Sequence, residues 1–281
     1  MSQQGAVFLG PAVVQFELPE PSVELWPGLR WGALDAFPTP AYWAYQVLAR
    51  RVSGGTLRHR LGSTLAEEVA ACLLGGHGVP SEVGLAAFEH LRSQGLLGDT
   101  PTTDEVHAVL LQPLVVDGRT VHYRFAFRKA TFVAAALRAL ANATPPQDQG
   151  RSLRDWLLQL DGVGYKTASW VARNWLNADD VAILDVHLIR AGVLGGFLDA
   201  ALSVPRNYLA LEEQFLRFSD ALGVRASELD AIIWYEMMSS PRTVRRLLNS
   251  YTSNCSESTR RVLGRTANKG GADTMQTRLI E

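Results

Sequence analysis

Hydrophobic and polar residues follow a helical period through most of this chain. Apolar positions recur three and four residues apart, and Ser or Thr opens many of the stretches while Gly or Pro closes them, as helix ends require. Capping-box patterns at Ser152–Asp155 and Ser227–Asp230 mark two of the starts. The stretches predict a helix starting at Asp185 and further helices at about 39–51, 64–74, 81–94, 102–111, 129–141, 152–160, 165–176, 207–222 and 227–238.

Only two short segments favour β-structure. Residues from Ala6 to Leu18 are apolar and β-branched, which predicts one or two strands. Residues 115–121 predict a hairpin around Asp117-Gly118, because both turn positions tolerate a positive φ. The sequence therefore predicts a mostly-α fold with minor β elements near the N-terminus and in one hairpin.

Composition excludes several classes of protein. The chain has 281 residues, 27 cationic against 28 acidic side chains, and two cysteines. Two cysteines are too few for a disulfide framework, a four-thiolate zinc site or a four-cysteine iron–sulfur cluster. The first basic residue is Arg30, so no secretory signal is expected, and no apolar stretch reaches the ~18 residues of a membrane span. We expect a soluble cytoplasmic protein without a metal or other cofactor.

Charge is distributed unevenly along the chain. From Pro241 onward there are eight basic and three acidic residues, although the net charge of the whole chain is −1. Large hydrophobic residues become rare beyond about Ser250, which predicts a flexible basic tail over 251–281 after a helical core over 1–250. A local basic face is compatible with the neutral total, but composition alone does not establish one.

The most informative segment is a glycine-containing turn between two predicted helices. Asp161-Gly162-Val163-Gly164 connects a helix with the next, which begins at Tyr165. We expect both glycines to be needed by the turn, since they allow a positive φ and leave amides uncovered. Those amides and the following helix N-terminus suit a phosphate. The predicted motif is a helix-hairpin-helix over about 152–176.

The residues after this turn carry a resemblance to a known family. Gly-Val-Gly-Tyr-Lys at 162–166 is followed by Ile-Leu-Asp-Val-His at 183–187. This arrangement resembles the helix-hairpin-helix DNA glycosylase superfamily, and most of all its 8-oxoguanine DNA glycosylase/AP lyase branch. The resemblance implies a two-lobed helical fold with Lys166 and Asp185 as catalytic residues facing each other in a DNA cleft. Gly162 and Gly164 are then the expected contacts to the DNA backbone, and the resemblance suggests that His187 faces the backbone or the sugar. A partly buried helix histidine that bonds a carbonyl is the alternative for His187.

The residue types at these positions suit the implied chemistry. A buried carboxylate stabilises the positive charge that develops on the sugar when a glycosidic bond breaks. A neutral lysine amine can attack the same carbon and form a Schiff base, which arginine is unable to do. Only three of the 27 cationic residues are lysines, so a lysine at 166 is notable. A solvated Lys166 and a helix-capping Asp185 are the alternative interpretation of these positions.

Other candidate residues are predicted for the damaged base. Asp230 and Trp234 are four residues apart on one helix face, where a carboxylate could bind guanine N–H groups and an indole could stack on a flipped base. Archaeal members of the branch carry a comparable pair. The alternatives are a capping residue and a core residue. His77, in the Gly75–Gly78 loop, could fill the gap that an extruded base leaves, or the loop could be a plain connection.

The sequence leads to one main hypothesis and leaves three alternatives. The main hypothesis is a monomeric, nucleoid-associated enzyme that excises an oxidised purine, chiefly 8-oxoguanine, from double-stranded DNA and cleaves the resulting abasic site. The same scaffold could act on another damaged or modified base. A helix-hairpin-helix without catalysis would need the glycines but neither Lys166 nor Asp185. The acidic balance of the first 240 residues leaves open a helical protein unrelated to DNA.

Overall fold

The protein is mostly helical, which confirms the predicted fold class. The computed structural model describes residues 2–54, 60–76 and 78–253. Within these ranges three antiparallel strand pairs form, β1 with β2, β3 with β4 and β5 with β6: Ser2–Leu9 (β1), Ala12–Pro19 (β2), Glu24–Trp26 (β3), Leu29–Arg30 (β4), Leu114–Val116 (β5) and Arg119–Val121 (β6). The helices are Pro40–Val52 (α1), Leu65–Leu74 (α2), Ser81–Ser93 (α3), Thr103–Leu110 (α4), Ala126–Asn142 (α5), Gly150–Leu157 (α6), Tyr165–Leu176 (α7), Val186–Gly195 (α8), Val204–Ala221 (α9), Ala226–Ser239 (α10) and Pro241–Ser253 (α11).

Contacts divide the described residues into two compact units. The first unit contains residues 2–54 and 182–253, that is β1–β4, α1 and α8–α11. Its core is built around the fully buried side chains of Trp43, Leu188, Phe215 and Phe218, and Phe197 stacks on Phe218 with ring centroids 3.9 Å apart. α8 packs against α10 and α11, and these two helices support it within the first unit.

The second unit contains the described residues of 60–181, that is α2–α7 with β5 and β6. α2 packs against α3, α5 and α7, while α6 packs against α7. Fully buried Phe88, Leu91, Leu110, Leu153 and Leu157 contribute to this interior. None of the helices in the described ranges combines the length and the hydropathy that a bilayer crossing requires.

The predicted N-terminal strands and the predicted hairpin at Asp117-Gly118 are both confirmed. β1 and β2 form an eight-residue pair in which Leu9 lies opposite Ala12. In the β5–β6 hairpin, Asp117 and Gly118 have φ values of +48° and +73°, the signature of a tight turn with both central residues left-handed. The pair β3–β4 was not predicted, because three- and two-residue strands leave no periodicity to detect.

The predicted capping box at Ser152 is wrong. α6 begins two residues earlier, at Gly150, and Ser152 lies within the helix. The cap is supplied from outside: the Arg151 amide donates to Asp180 Oδ2 at 2.9 Å. A Cβ on Gly150 would lie 2.2 Å from Asp180 Oδ1, so glycine is required where the carboxylate packs on the helix end. Asp155 instead accepts from Arg154 Nε at 2.8 Å.

The predicted capping box at Ser227 is also wrong. α10 starts at Ala226 after Arg225, so Ser227 is a buried residue of the first turn. The structure also contains α11, which the sequence analysis left unassigned because its apolar positions are few. The predicted boundary of the tail therefore falls inside a helix, and the rest of that tail, from 254 onward, lies outside the described residues. α5 begins three residues earlier than predicted, and α9 has a kink at Asn207, the residue at which the predicted helix begins.

Candidate active site

The turn between α6 and α7 requires glycine at 162 for two reasons. Gly162 has a φ of +79°, a conformation that strains any residue with a Cβ. A Cβ at this position would also lie 2.3 Å from the Phe132 ring of α5. The turn is closed by the Val163 amide, which donates to the Leu160 carbonyl at 3.2 Å. The helix-hairpin-helix geometry therefore depends on Gly162 through conformation and packing together.

Gly164 differs from Gly162, which corrects the expectation that the turn needs both. Gly164 is the N-cap residue of α7, with φ −101° and ψ 176°, values open to any residue. A Cβ here would have no atom within 4 Å. Gly164 has no side chain of its own to cap the helix, and it leaves open space where a Cβ would stand at the start of α7. Glycine at 164 is thus explained by access to this helix end rather than by the turn.

Lys166 lies in the first turn of α7 and is half-buried. Burial and the Glu68 carboxylate raise the pKa of the Cys72 thiol, and the positive charges of Arg173 and Lys166 oppose that rise. The charge of Lys166 therefore acts on Cys72 of α2, the helix that also carries a buried polar group.

That group centres on Glu68, which the sequence analysis missed. The Glu68 carboxylate accepts from the amides of Leu61 and Gly62 at 2.7 and 2.8 Å and from Asn174 Nδ2 at 2.7 Å. Burial raises the pKa of this carboxyl group even though its hydrogen bonds act in the opposite direction. The Asn174 bond joins α2 to α7, and the other two hold the segment before α2 against that helix. A glutamate inside the apolar run of α2 was the available signal.

Lys129 is a second lysine that the sequence analysis did not single out. Its Nζ donates to the carbonyls of Leu73 and Gly75, the latter at 3.1 Å, and so closes the C-terminal end of α2. The Tyr123 hydroxyl donates to the Leu74 carbonyl there at 2.6 Å. Burial lowers the pKa of Lys129 to about 8, and the neighbouring Arg128 charge acts in the same direction. The rarity of lysine, used above for Lys166, would have pointed to it equally well.

In the first unit, Asp185 caps α8. Its Oδ1 accepts from the amides of His187 and Leu188 at 2.9 and 2.8 Å. No hydrogen bond to Oδ2 occurs among the described residues of this unit. The residue is buried, with 8% of its surface exposed, and its charge acts on Arg190, whose pKa burial lowers. Capping and a charged role are compatible, because one carboxylate oxygen performs the first and leaves the other available.

The remaining predicted residues of this unit lie on α8 and α10, which pack against each other. The His187 ring contacts the Trp234 indole edge-on, with centroids 6.1 Å apart. His187 Nδ1 is buried and has no hydrogen bond to another described residue. Trp234 and Asp230 are both buried on α10, with 3% and 5% of their surfaces exposed. Asp185, His187 and Trp234 thus form one cluster, whereas Gly162, Gly164 and Lys166 belong to the second unit.

Two further points concern the predicted site. His77, the candidate gap-filling residue, lies outside the described residues. Among the residues that are described, no group of three or more His, Cys, Asp and Glu side chains is placed to hold a metal ion.

Known proteins provide comparisons for this arrangement. An 8-oxoguanine DNA glycosylase/AP lyase from Methanocaldococcus jannaschii is 29% identical over 125 residues, which cover 42% of this chain and 58% of that protein. A protein of the same name from Thermoplasma acidophilum is 32% identical over 120 residues, or 41% of this chain and 56% of that protein. The chain thus spans less than two thirds of either relative.

A solved structure and a family model complete the comparisons. The crystal structure of the Methanocaldococcus jannaschii 8-oxoguanine DNA glycosylase superposes with a TM-score of 0.49 and 24% identity, covering 63% of this chain and 78% of that one. The family model described as 8-oxoguanine DNA glycosylase matches residues 57–224, a span that includes the hairpin, Lys166 and Asp185. Because the matched span is more than half of the 281 residues, the chain belongs to the 8-oxoguanine DNA glycosylase family.

Proposed function

We propose that this protein is a bifunctional DNA glycosylase and AP lyase that excises 8-oxoguanine from double-stranded DNA as a monomer acting at the nucleoid. The observation that carries the proposal is the family match over 57–224, which contains both a lysine in the first turn after the hairpin and a buried aspartate at the start of α8. The two relatives described above carry this activity in their names. A non-catalytic binding module has no need for either residue.

In the proposed reaction Lys166 is the nucleophile. Its neutral amine forms a bond to C1′ of the damaged nucleotide while the bond from C1′ to the base breaks, and the base leaves with a proton. Opening of the sugar ring gives a Schiff base between Lys166 and C1′. Loss of a C2′ proton then allows the C3′–O bond to break, which cuts the strand on the 3′ side.

Asp185 is proposed to stabilise the positive charge that develops on the sugar. The two amide donors hold its Oδ1 and keep the carboxylate in one orientation. Burial supports the role, because a fixed negative charge interacts more strongly with a nearby cation where water is excluded. The Oδ2 atom is the oxygen that we assign to the sugar.

DNA binding is assigned to the hairpin and to the residues around Trp234. The N-terminus of α7 beside Gly164 suits a phosphate oxygen, and Gly162 holds the turn that leads into this helix. We assign His187 to the backbone or sugar beside Asp185, and Asp230 and Trp234 to the flipped base. The edge-on contact between the His187 ring and the Trp234 indole places these two assignments side by side. His77 remains the proposed gap-filling residue.

The proposal is tested with a panel of duplexes, each carrying one defined lesion: 8-oxoguanine, an oxidised pyrimidine, an alkylated purine, an abasic site or none. The protein is expected to release 8-oxoguanine and to cleave that strand and the abasic duplex. Release of a different base would show that the protein is a DNA glycosylase for another lesion. Binding of every duplex without release or cleavage would leave the non-catalytic module as the function.

A further inference from the structure

The helix α11 presents three arginines on one face. At 100° per residue, Arg242, Arg245 and Arg246 fall within one arc of about 100°, together with Asn249. All three arginine side chains are exposed. The helix contains no acidic residue. It is the described part of the basic region that begins at Pro241.

The opposite face of α11 fixes the helix to the first unit. Val244 is 4% exposed, and Leu248 packs against the same core as α8 and α10. An amphipathic helix anchored in this way holds its polar face in a constant direction. The arginines therefore stand on the same rigid unit as Asp185.

The arginine charges are not neutralised within the described protein. None of the three guanidinium groups makes a hydrogen bond or ion pair to another described residue. Carboxylates of α10 are engaged elsewhere: Glu228 pairs with Arg51 of α1, and Glu236 accepts from the Tyr42 hydroxyl at 2.6 Å. The face is thus a concentrated, solvated positive charge on a chain whose total charge is −1.

We infer that the arginine face of α11 binds the phosphate backbone of duplex DNA, at a site separate from the hairpin and outside the family match over 57–224. Guanidinium groups fit phosphate oxygens in a bidentate geometry, and the face carries no aromatic side chain that could stack on a base. The contact is therefore independent of sequence and of damage. The inference rests on the proposed function for its choice of DNA as the partner.

The test compares two triple variants that remove the same charge. One carries Arg242→Gln, Arg245→Gln and Arg246→Gln, and glutamine preserves helix propensity. The matched control carries Arg30→Gln, Arg119→Gln and Arg206→Gln, three exposed arginines on other elements. Binding to undamaged and 8-oxoguanine duplexes is measured as a function of salt concentration, and melting temperatures verify folding. The single variants Arg242→Gln, Arg245→Gln and Arg246→Gln are measured alongside.

The α11 triple variant is expected to lose about two to three units of the slope of log affinity against log salt, and on the order of 10- to 100-fold in affinity at 0.1 M salt, equally for both duplexes. Each single variant is expected to lose about one unit. The control is expected to keep the wild-type slope. An unchanged slope in the α11 variants, or an equal loss in the control, would overturn the inference. An unchanged slope together with lost binding to vesicles containing anionic lipid would overturn it in favour of a membrane surface.

Failure of this inference is distinguishable from failure of the proposed function. Borohydride trapping on 8-oxoguanine DNA at saturating concentration reports the chemistry and is expected to persist in the α11 triple variant. If the wild type is not trapped but the α11 changes still reduce the salt slope, the proposed enzymatic function is wrong and the inference about α11 stands. If trapping is normal but the slope is unchanged, the proposed function stands and the inference about α11 is wrong.

Discussion

The N-termini of α7 and α8 are completed in opposite ways. α7 starts at Gly164, which has no side chain to cap the helix, whereas α8 starts at Asp185, whose carboxylate occupies two amides. Both ends carry the positive partial charge of a helix dipole. The α7 end, which lacks a cap from its own N-cap residue, suits an anion from outside, such as a phosphate. At the α8 end the anion is the Asp185 carboxylate itself. In the proposed reaction this carboxylate interacts with the positive charge on the sugar in the transition state.

The largest effect is expected from a replacement of Lys166, in the first turn of α7. Lys166→Gln keeps a polar side chain of similar reach but removes the nucleophile, so strand cleavage should fall by at least about 10³-fold while duplex binding changes little. Single-turnover cleavage of an 8-oxoguanine duplex measures the loss. Cleavage at the wild-type rate would show that another residue is the nucleophile.

Replacing Asp185 separates the cap from the charge. Asp185→Asn keeps an oxygen for the His187 and Leu188 amides and ranks with Asp as a cap, so the melting temperature should change little. Loss of the charge should slow base excision on the order of 10²- to 10³-fold. Single-turnover excision and thermal unfolding are measured on the same preparation. A parallel fall in both would make Asp185 a structural cap alone.

A carboxylate introduced at the N-cap of α7 should make this helix end resemble the N-terminus of α8. Gly164→Asp supplies α7 with the kind of cap that α8 has, so stability should be unchanged or rise by a few tenths of a kcal/mol. The new carboxylate would compete with phosphate, so duplex affinity should fall about tenfold. Titration calorimetry and chemical unfolding measure the two effects.

Gly162→Ala is the matched control for this change within the same turn. The positive φ of Gly162 and the Phe132 ring predict destabilisation by about 2–4 kcal/mol. Equal destabilisation by both substitutions would remove the distinction between the two glycines.

The C-terminal end of α2, closed by Lys129, gives the smallest expected effect. The folded-state pKa of about 8 lies below the 10.5 of a free lysine, so between these values the unfolded chain binds a proton that the folded chain lacks. The free energy of unfolding from this group should therefore rise by about 1–3 kcal/mol from pH 8 to pH 10.5. Denaturant unfolding of the wild type and of Lys129→Met measures the difference. The same pH dependence in both proteins would assign it to other groups.

The sequence was sufficient for features that depend on local periodicity. The helix-hairpin-helix, the strand turn at Asp117-Gly118 and the start of α8 at Asp185 follow from residues close together in the chain, and they were predicted correctly. The family match also lies over the segment that carried the resemblance. The positions of Lys166 and Asp185 on helix starts could be predicted for the same reason.

Features that depend on distant residues could not be predicted. The cap of α6 comes from Asp180, and the local Ser152 pattern therefore gave the wrong helix start. Glu68 acquires its partner Asn174, 106 residues away in the chain, only when α2 packs on α7. α11 was missed because its single face of apolar residues contributes only a few positions to the periodicity. The functional roles of all the predicted site residues, Lys166 and Asp185 included, are still predictions.

The most direct test of the central claim is to identify the residue that becomes attached to DNA. The wild-type protein is incubated with an 8-oxoguanine duplex and borohydride, which reduces a Schiff base to a stable amine, and the adduct is digested and mapped by mass spectrometry. We expect the adduct on the peptide that contains Lys166, and no adduct with undamaged DNA. An adduct on Lys129, whose pKa burial lowers to about 8, or the absence of any adduct would contradict the account.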